Sequence, residues 1–192
     1  MTERFVAILL SLLVTPLGLI AQRAETNTEE VDEYAVYSAV ISQKFVRPDT
    51  RLVVIIDPTS SGNADLDIWR QKQLEPISAE TLASFKERDK DTKALKKAFT
   101  LSVAYRIVDL EEVKKLFLAG MPEEGWKEFY QLYPQSNGYL HLSRVGFNNE
   151  RTEALISVGW MRGSLEGQGQ YFLLSKKDGK WQVERSVGTW IS

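Results

Sequence analysis

The alternation of apolar and polar residues through roughly the last fifty positions restricts the fold of this chain more than any other feature. Tyr139–Phe147, Arg151–Met161, Gln170–Ser175 and Lys180–Ile191 each repeat with a period of two, the pattern of strands with one buried face. Asn148-Asn149-Glu150, Gly163–Gly169 and Lys177-Asp178-Gly179 separate them. Asp-Gly between two such runs favours a two-residue hairpin, because both positions tolerate positive φ. Thr152, Ala154, Ile156, Val158 and Trp160 share one face, and Trp181, Val183 and Val187 are expected to continue it. The prediction is a four-stranded antiparallel meander at the C-terminus.

The first two thirds read as helices around short strands. Asn27 or Thr28 is placed to cap a helix over 29–45, with Glu30 three places after Asn27 and an apolar stripe of Val31, Tyr34, Ala35, Ser38, Ile41 and Phe45. Leu52–Ile56 is an unbroken aliphatic run, expected as a strand buried on both faces. Short helices are expected over 65–74 and over 79–88 behind Ser78, then over 110–118 and 122–132, with Pro122 in a first turn. Residues 86–97 carry dense charge of both signs and read as a solvated helical surface with a break near Asp91. Phe99–Val108 is expected as a further strand. The fold class is therefore α+β: a curved antiparallel sheet of five or six strands with helices packed on one face.

Phe5–Ala21 holds seventeen residues without a charge, interrupted by Pro16 and Gly18. As a helix it would span about 25 Å, short of a bilayer's hydrocarbon core. Helix breakers before small residues suit a signal peptidase, so residues 1–24 are expected as an export signal, ending at Ala21 or Ala24, before one domain over 25–192. The alternative is an uncleaved inner-membrane anchor over 5–21. Absence of cysteine excludes disulfides, thiolate metal sites and thiol catalysis. Lys and Arg total 24 against 26 Asp and Glu, so no basic excess marks a nucleic-acid partner.

Catalytic patterns were tested by spacing. His141, the one histidine, lies two residues before Ser143, on the same side of a strand, and Asp57 is the third member such a site would need. The loop Asp57-Pro58-Thr59-Ser60-Ser61-Gly62-Asn63 follows a buried strand, a position where sites gather. It lacks both the glycine that precedes a nucleophilic serine at an elbow and the lysine of a phosphate loop. Asn63, Asp65 and Asp67 have the spacing of the first calcium ligands, but Ile68 and Leu74 stand where glycine and glutamate belong, so capping explains these acids better and no metal or cofactor is expected. Glu123 and Glu124 diverge on a helix and suit its dipole. Trp126, Tyr130, Trp160 and Tyr171 are the candidates for an aromatic ligand groove, with core packing as the plainer role.

From Trp126 to Trp190 the chain resembles exported bacterial proteins of uncharacterised function, through YPQSNGYLHLSRVGFN (133–148), TEALISVG (152–159) and GQGQYFLLSKKDGKWQVE (167–184). The closing hairpin, with Lys177-Asp178-Gly179-Lys180 and then Trp181, also resembles the last strands of NTF2-like α+β domains. These resemblances imply export and an α+β fold, and no particular activity. The expectation is an exported, non-catalytic domain that binds a small ligand or an envelope protein. Two alternatives are an envelope hydrolase using Asp57, Ser60, Ser61 and His141, and a membrane-anchored structural component.

Overall fold

The computed structural model describes residues 16–63, 67–118 and 120–192. Most of the expected signal, residues 1–15 of 1–24, lies outside them, as does Asp65 of the calcium-like spacing. Ala21 and Ala24, the candidate cleavage residues, are in a helix. The chain divides into two compact units, Met1–Val31 and Asp32–Ser192, and the second holds the C-terminal part of the first helix and every later element.

Helix α1 (Pro16–Val40) passes into a π-helical turn, Ile41–Phe45. Asn27 and Thr28 therefore lie inside a helix and do not start one. Its buried apolar residues in the second unit are Tyr34, Val36, Tyr37, Val40, Ile41 and Phe45, and Ser38 of the expected stripe is buried too, while Val31 and Ala35 are exposed. Strand β1 (Leu52–Asp57) follows, then α2 (Ile68–Gln73) and α3 (Ala79–Arg88). Ser78 caps α3 by accepting from Thr81 N–H, and Asp67 caps α2 by accepting from Arg70 N–H, as their side-chain chemistry predicts. Next come β2 (Ala104–Asp109), α4 (Leu110–Lys115) and α5 (Pro122–Leu132). The C-terminal part holds β3 (Ser136–Leu142), the two-residue β4 (Gly146–Phe147), β5 (Glu153–Gly163), β6 (Glu166–Lys177) and β7 (Lys180–Ile191).

The fold is α+β, and the meander is present: β3, β5, β6 and β7 pair antiparallel in that order. The sheet as a whole is larger and mixed. It has seven strands in the order β2-β1-β3-β5-β6-β7, with β4 on β5, and β1 runs parallel to both β2 and β3. Parallel neighbours need crossover connections, and the helices in the first two thirds of the chain supply them. Side chains of β1 alternate between two clusters, as an aliphatic run buried on both sides should. Val53 and Ile55 join α1, whereas Val54 and Ile56 join Val113 of α4 and Trp126 and Phe129 of α5. The expected helical layer on one face is formed by α3, α4 and α5, and α1 adds a second layer on the opposite face.

Three local expectations change. Residues 89–97 are not helical: the chain leaves α3 at Arg88, turns at Asp89–Lys90 and continues without regular secondary structure. Val187 does not share a face with Trp181 and Val183, because the register slips between Leu173 and Leu174 and leaves Glu184 as an extra residue. An odd insertion reverses the side-chain alternation, so Val187 packs with Leu155 and Tyr171 instead. The glycines of 163–169 belong mainly to strands. A Cβ on Gly169 would lie 2.1 Å from Trp190 Nε1, and one on Gly167 2.9 Å from Trp190 Cζ3. Those glycines seat the Trp190 ring flat on the sheet.

Candidate functional site

The structure brings the hydrolase candidates to one corner, at the C-terminal ends of β1 and β3, but binds them to backbone. Asp57 Oδ1 accepts from Leu95 N–H at 2.6 Å. His141 Nε2 faces Pro58 O at 3.0 Å. Ser60 N–H donates to Leu142 O at 2.8 Å, and the Ser60 hydroxyl oxygen accepts from Asn63 Nδ2 at 3.0 Å. Ser61 is exposed. Ser143 is fully buried, donating to Arg144 O and accepting from Ser157 N–H. Among the described residues no hydrogen bond joins His141 to Asp57, Ser60, Ser61 or Ser143. Asp89, itself buried, holds the loop by accepting from the backbone and side-chain N–H groups of Asn63. No group of three or more His, Asp or Glu among the described residues is placed to hold a metal.

Burial depresses the basicity of His141, and Lys114 acts in the same direction against the opposing pull of the Pro58 carbonyl. The sign of the resulting pH dependence follows. The unfolded chain takes up a proton near pH 6.5 while the folded chain resists it, so stability is full above about pH 6.5 and falls as pH drops toward the lower folded value. His141→Gln, which retains a donor for Pro58, is expected to flatten this acid limb in urea midpoints taken from pH 7 to pH 5. An unchanged limb would show that His141 is not its source.

The four aromatic candidates do not share a groove. Trp126 is buried among Phe129, Tyr130 and Tyr139, stacked on the last with centroids 5.7 Å apart. Tyr130 is half-buried and donates to Arg162 O at 2.7 Å. Tyr171 is buried with α3, its hydroxyl on Asn63 O. Trp160 is buried against α1, its Nε1–H on Asn137 O at 2.7 Å, and the Arg162 guanidinium lies 4.4 Å from its ring centroid.

A buried ion cluster escaped the sequence reading. Glu33 on α1, with a side chain 1% exposed, meets Arg144 Nε at 2.8 Å, Arg88 Nη2 at 3.1 Å and Lys93 Nζ at 3.1 Å. It also accepts from the Tyr37 hydroxyl at 3.1 Å and from Val145 N–H at 3.3 Å. Burial, with Glu33 beside it, raises the Tyr37 phenol well above its ordinary range. Burial and then repulsion from Arg144 and Arg151 lower the Arg88 guanidinium to about 10. Asp32 next door holds Lys176 at 2.7 Å and Arg151 at 3.7 Å. The cluster fastens α1 to the β3–β4 connection, to the end of α3 and to the segment that follows it.

The two edges of the sheet differ. At β7 the outward backbone is stoppered by side chains: Gln43 donates to Trp181 O at 3.1 Å and accepts from Val183 N–H at 3.0 Å. Arg70 donates to Gly188 O at 3.2 Å and to Thr189 O at 2.9 Å. At β2, among the described residues, no hydrogen bond reaches the outer side of the strand. Beside it lies an open groove of about 650 Å³, lined by Arg51, Arg106, Glu112, Leu132 and Tyr133 together with the backbone of β2. Ala104, Arg106 and Val108 alternate with Tyr105 and Ile107, and Val108 belongs to the α4–α5 cluster, so Arg106 projects on the groove side. Burial and nearby Glu112 raise the Tyr133 phenol. Comparison with family models, with curated proteins and with solved structures finds no match to this chain. No helix among the described residues is long and apolar enough to cross a membrane.

Proposed function

We propose that the chain is an exported, non-catalytic binding domain that recognises a partner protein by accepting one of its segments as an added strand on β2. The observation that carries this reading is the contrast between the edges. An exposed edge presents a row of unpaired N–H and C=O groups and invites unwanted pairing, so proteins blunt such edges with side chains, bulges or charge. The twelve-residue β7 has two register slips and the Gln43 and Arg70 stoppers. The six-residue β2 has no such stopper among the described residues, and a groove runs alongside it. Strand addition draws affinity from main-chain hydrogen bonds and specificity from pockets for alternate side chains, and β2 with its groove offers both. Export rests on the uncharged stretch Phe5–Ala21, too short as a helix to span a bilayer's hydrocarbon core.

Both parts are tested in the native host. A photoreactive residue at position 106 should give one defined cross-linked partner, identified by mass spectrometry, while the same residue at position 185 on β7 gives none. The recovered chain should lie outside the cytoplasm and begin after Ala21 or Ala24. Equal cross-linking from both edges would contradict the recognition surface, and full-length cytoplasmic protein would contradict export.

A further inference from the structure

The lining of the β2 groove defines which strand fits. Arg51 and Arg106 bring two guanidinium groups to it, against the single carboxylate of Glu112. Arg106 is exposed and stands on the edge strand itself, while Arg51 lies at the foot of β1 with Nη1 on Pro48 O at 2.7 Å, which fixes the position of its guanidinium. Guanidinium N–H groups match a carboxylate with two parallel hydrogen bonds, and such charge-assisted pairs are roughly twice as strong as neutral ones. A strand laid on β2 would direct every second side chain toward this side of the sheet. We propose that the β2 edge takes an extended acidic peptide as its added strand, with a carboxylate side chain of that peptide on Arg106 and Arg51. This rests on the reading of β2 as the recognition edge and adds the chemical class of the partner.

Three fluorescein-labelled peptides of about ten residues test it by anisotropy with the full chain. They alternate valine with aspartate, asparagine or lysine and are otherwise alike. The aspartate peptide should bind, the asparagine peptide about tenfold more weakly, and the lysine peptide more weakly still. Arg106→Gln should erase the difference between aspartate and asparagine while leaving asparagine binding in place, and Arg185→Gln on β7 should change nothing. Arg51→Gln serves as the second variant if Arg106→Gln fails to fold. Equal binding of all three peptides would overturn the acidic partner and leave the recognition edge standing. No binding of any peptide would overturn both. A dimer that forms without peptide and disappears in Arg106→Gln would assign the edge to a second copy of the chain and overturn the proposal.

Discussion

Replacing Glu33 with glutamine is expected to lower folding stability by about 3–5 kcal/mol, the range for removing one partner of a buried ion pair. The substitution hardly alters shape. It deletes a negative charge that meets Arg88, Lys93 and Arg144 at once, on a side chain 1% exposed. Three cations then crowd together with poor access to water, and Arg88, already lowered to about 10 by burial and its like-charged neighbours, loses its 3.1 Å contact with the Glu33 carboxylate. For a domain of this size, each kcal/mol moves the thermal midpoint by roughly 2–4 °C, so a fall of about 10 °C is expected. Urea unfolding followed by tryptophan fluorescence measures it. A loss below about 1 kcal/mol would show that the cluster is solvated and that α1 is held by its apolar contacts alone.

Phe129→Ala should be equally severe, costing about 3–5 kcal/mol. Phe129 is fully buried on α5. Its ring contacts Trp126 at 5.3 Å, Tyr130 at 5.4 Å, Tyr133 at 5.0 Å and Tyr139 at 5.7 Å between centroids. Truncation leaves a void among four large rings that cannot collapse far without moving α5 off β1. The same helix ends at Leu132 and Tyr133 in the β2 groove. The variant should therefore lose near-ultraviolet circular dichroism from the aromatic cluster as well as stability. A stability loss under about 1.5 kcal/mol with an unchanged spectrum would mean that the cluster repacks, and that α5 is not the rigid wall of the groove.

What the sequence made legible was local. The caps at Ser78 and Asp67, the two-faced run of β1 and the Asp178-Gly179 hairpin rest on interactions within a few residues. At the hairpin both φ angles are positive, 50° and 73°, as a two-residue turn requires. What stayed hidden depends on residues far apart in the chain. Arg88 and Lys93 look like a solvated charged surface until Glu33, some sixty residues earlier, is placed among them. The glycines of 163–169 resemble a flexible loop until Trp190 lies on them. One extra residue in β7, Glu184, moved Val187 to the other face, because pairing register is a property of two strands and cannot be read from one. The site was legible only in outline. The loop Asp57–Asn63 does follow a buried strand, but the hydrogen bonds of Asp57, Ser60 and His141 serve that loop. That β2 would be an edge follows from β1 pairing on both sides with parallel strands, a consequence of the crossovers that no alternation pattern encodes.

Amide hydrogen exchange across Ala104–Asp109, with and without the aspartate peptide, tests the central claim most directly. In the free chain, the outward-facing amides of β2 should exchange at once while the Gln43-bonded amide of Val183 is protected. With peptide bound, those β2 amides should become protected and β7 should not change. Protection of every β2 amide in the free chain, or new protection confined to β7, would contradict the account.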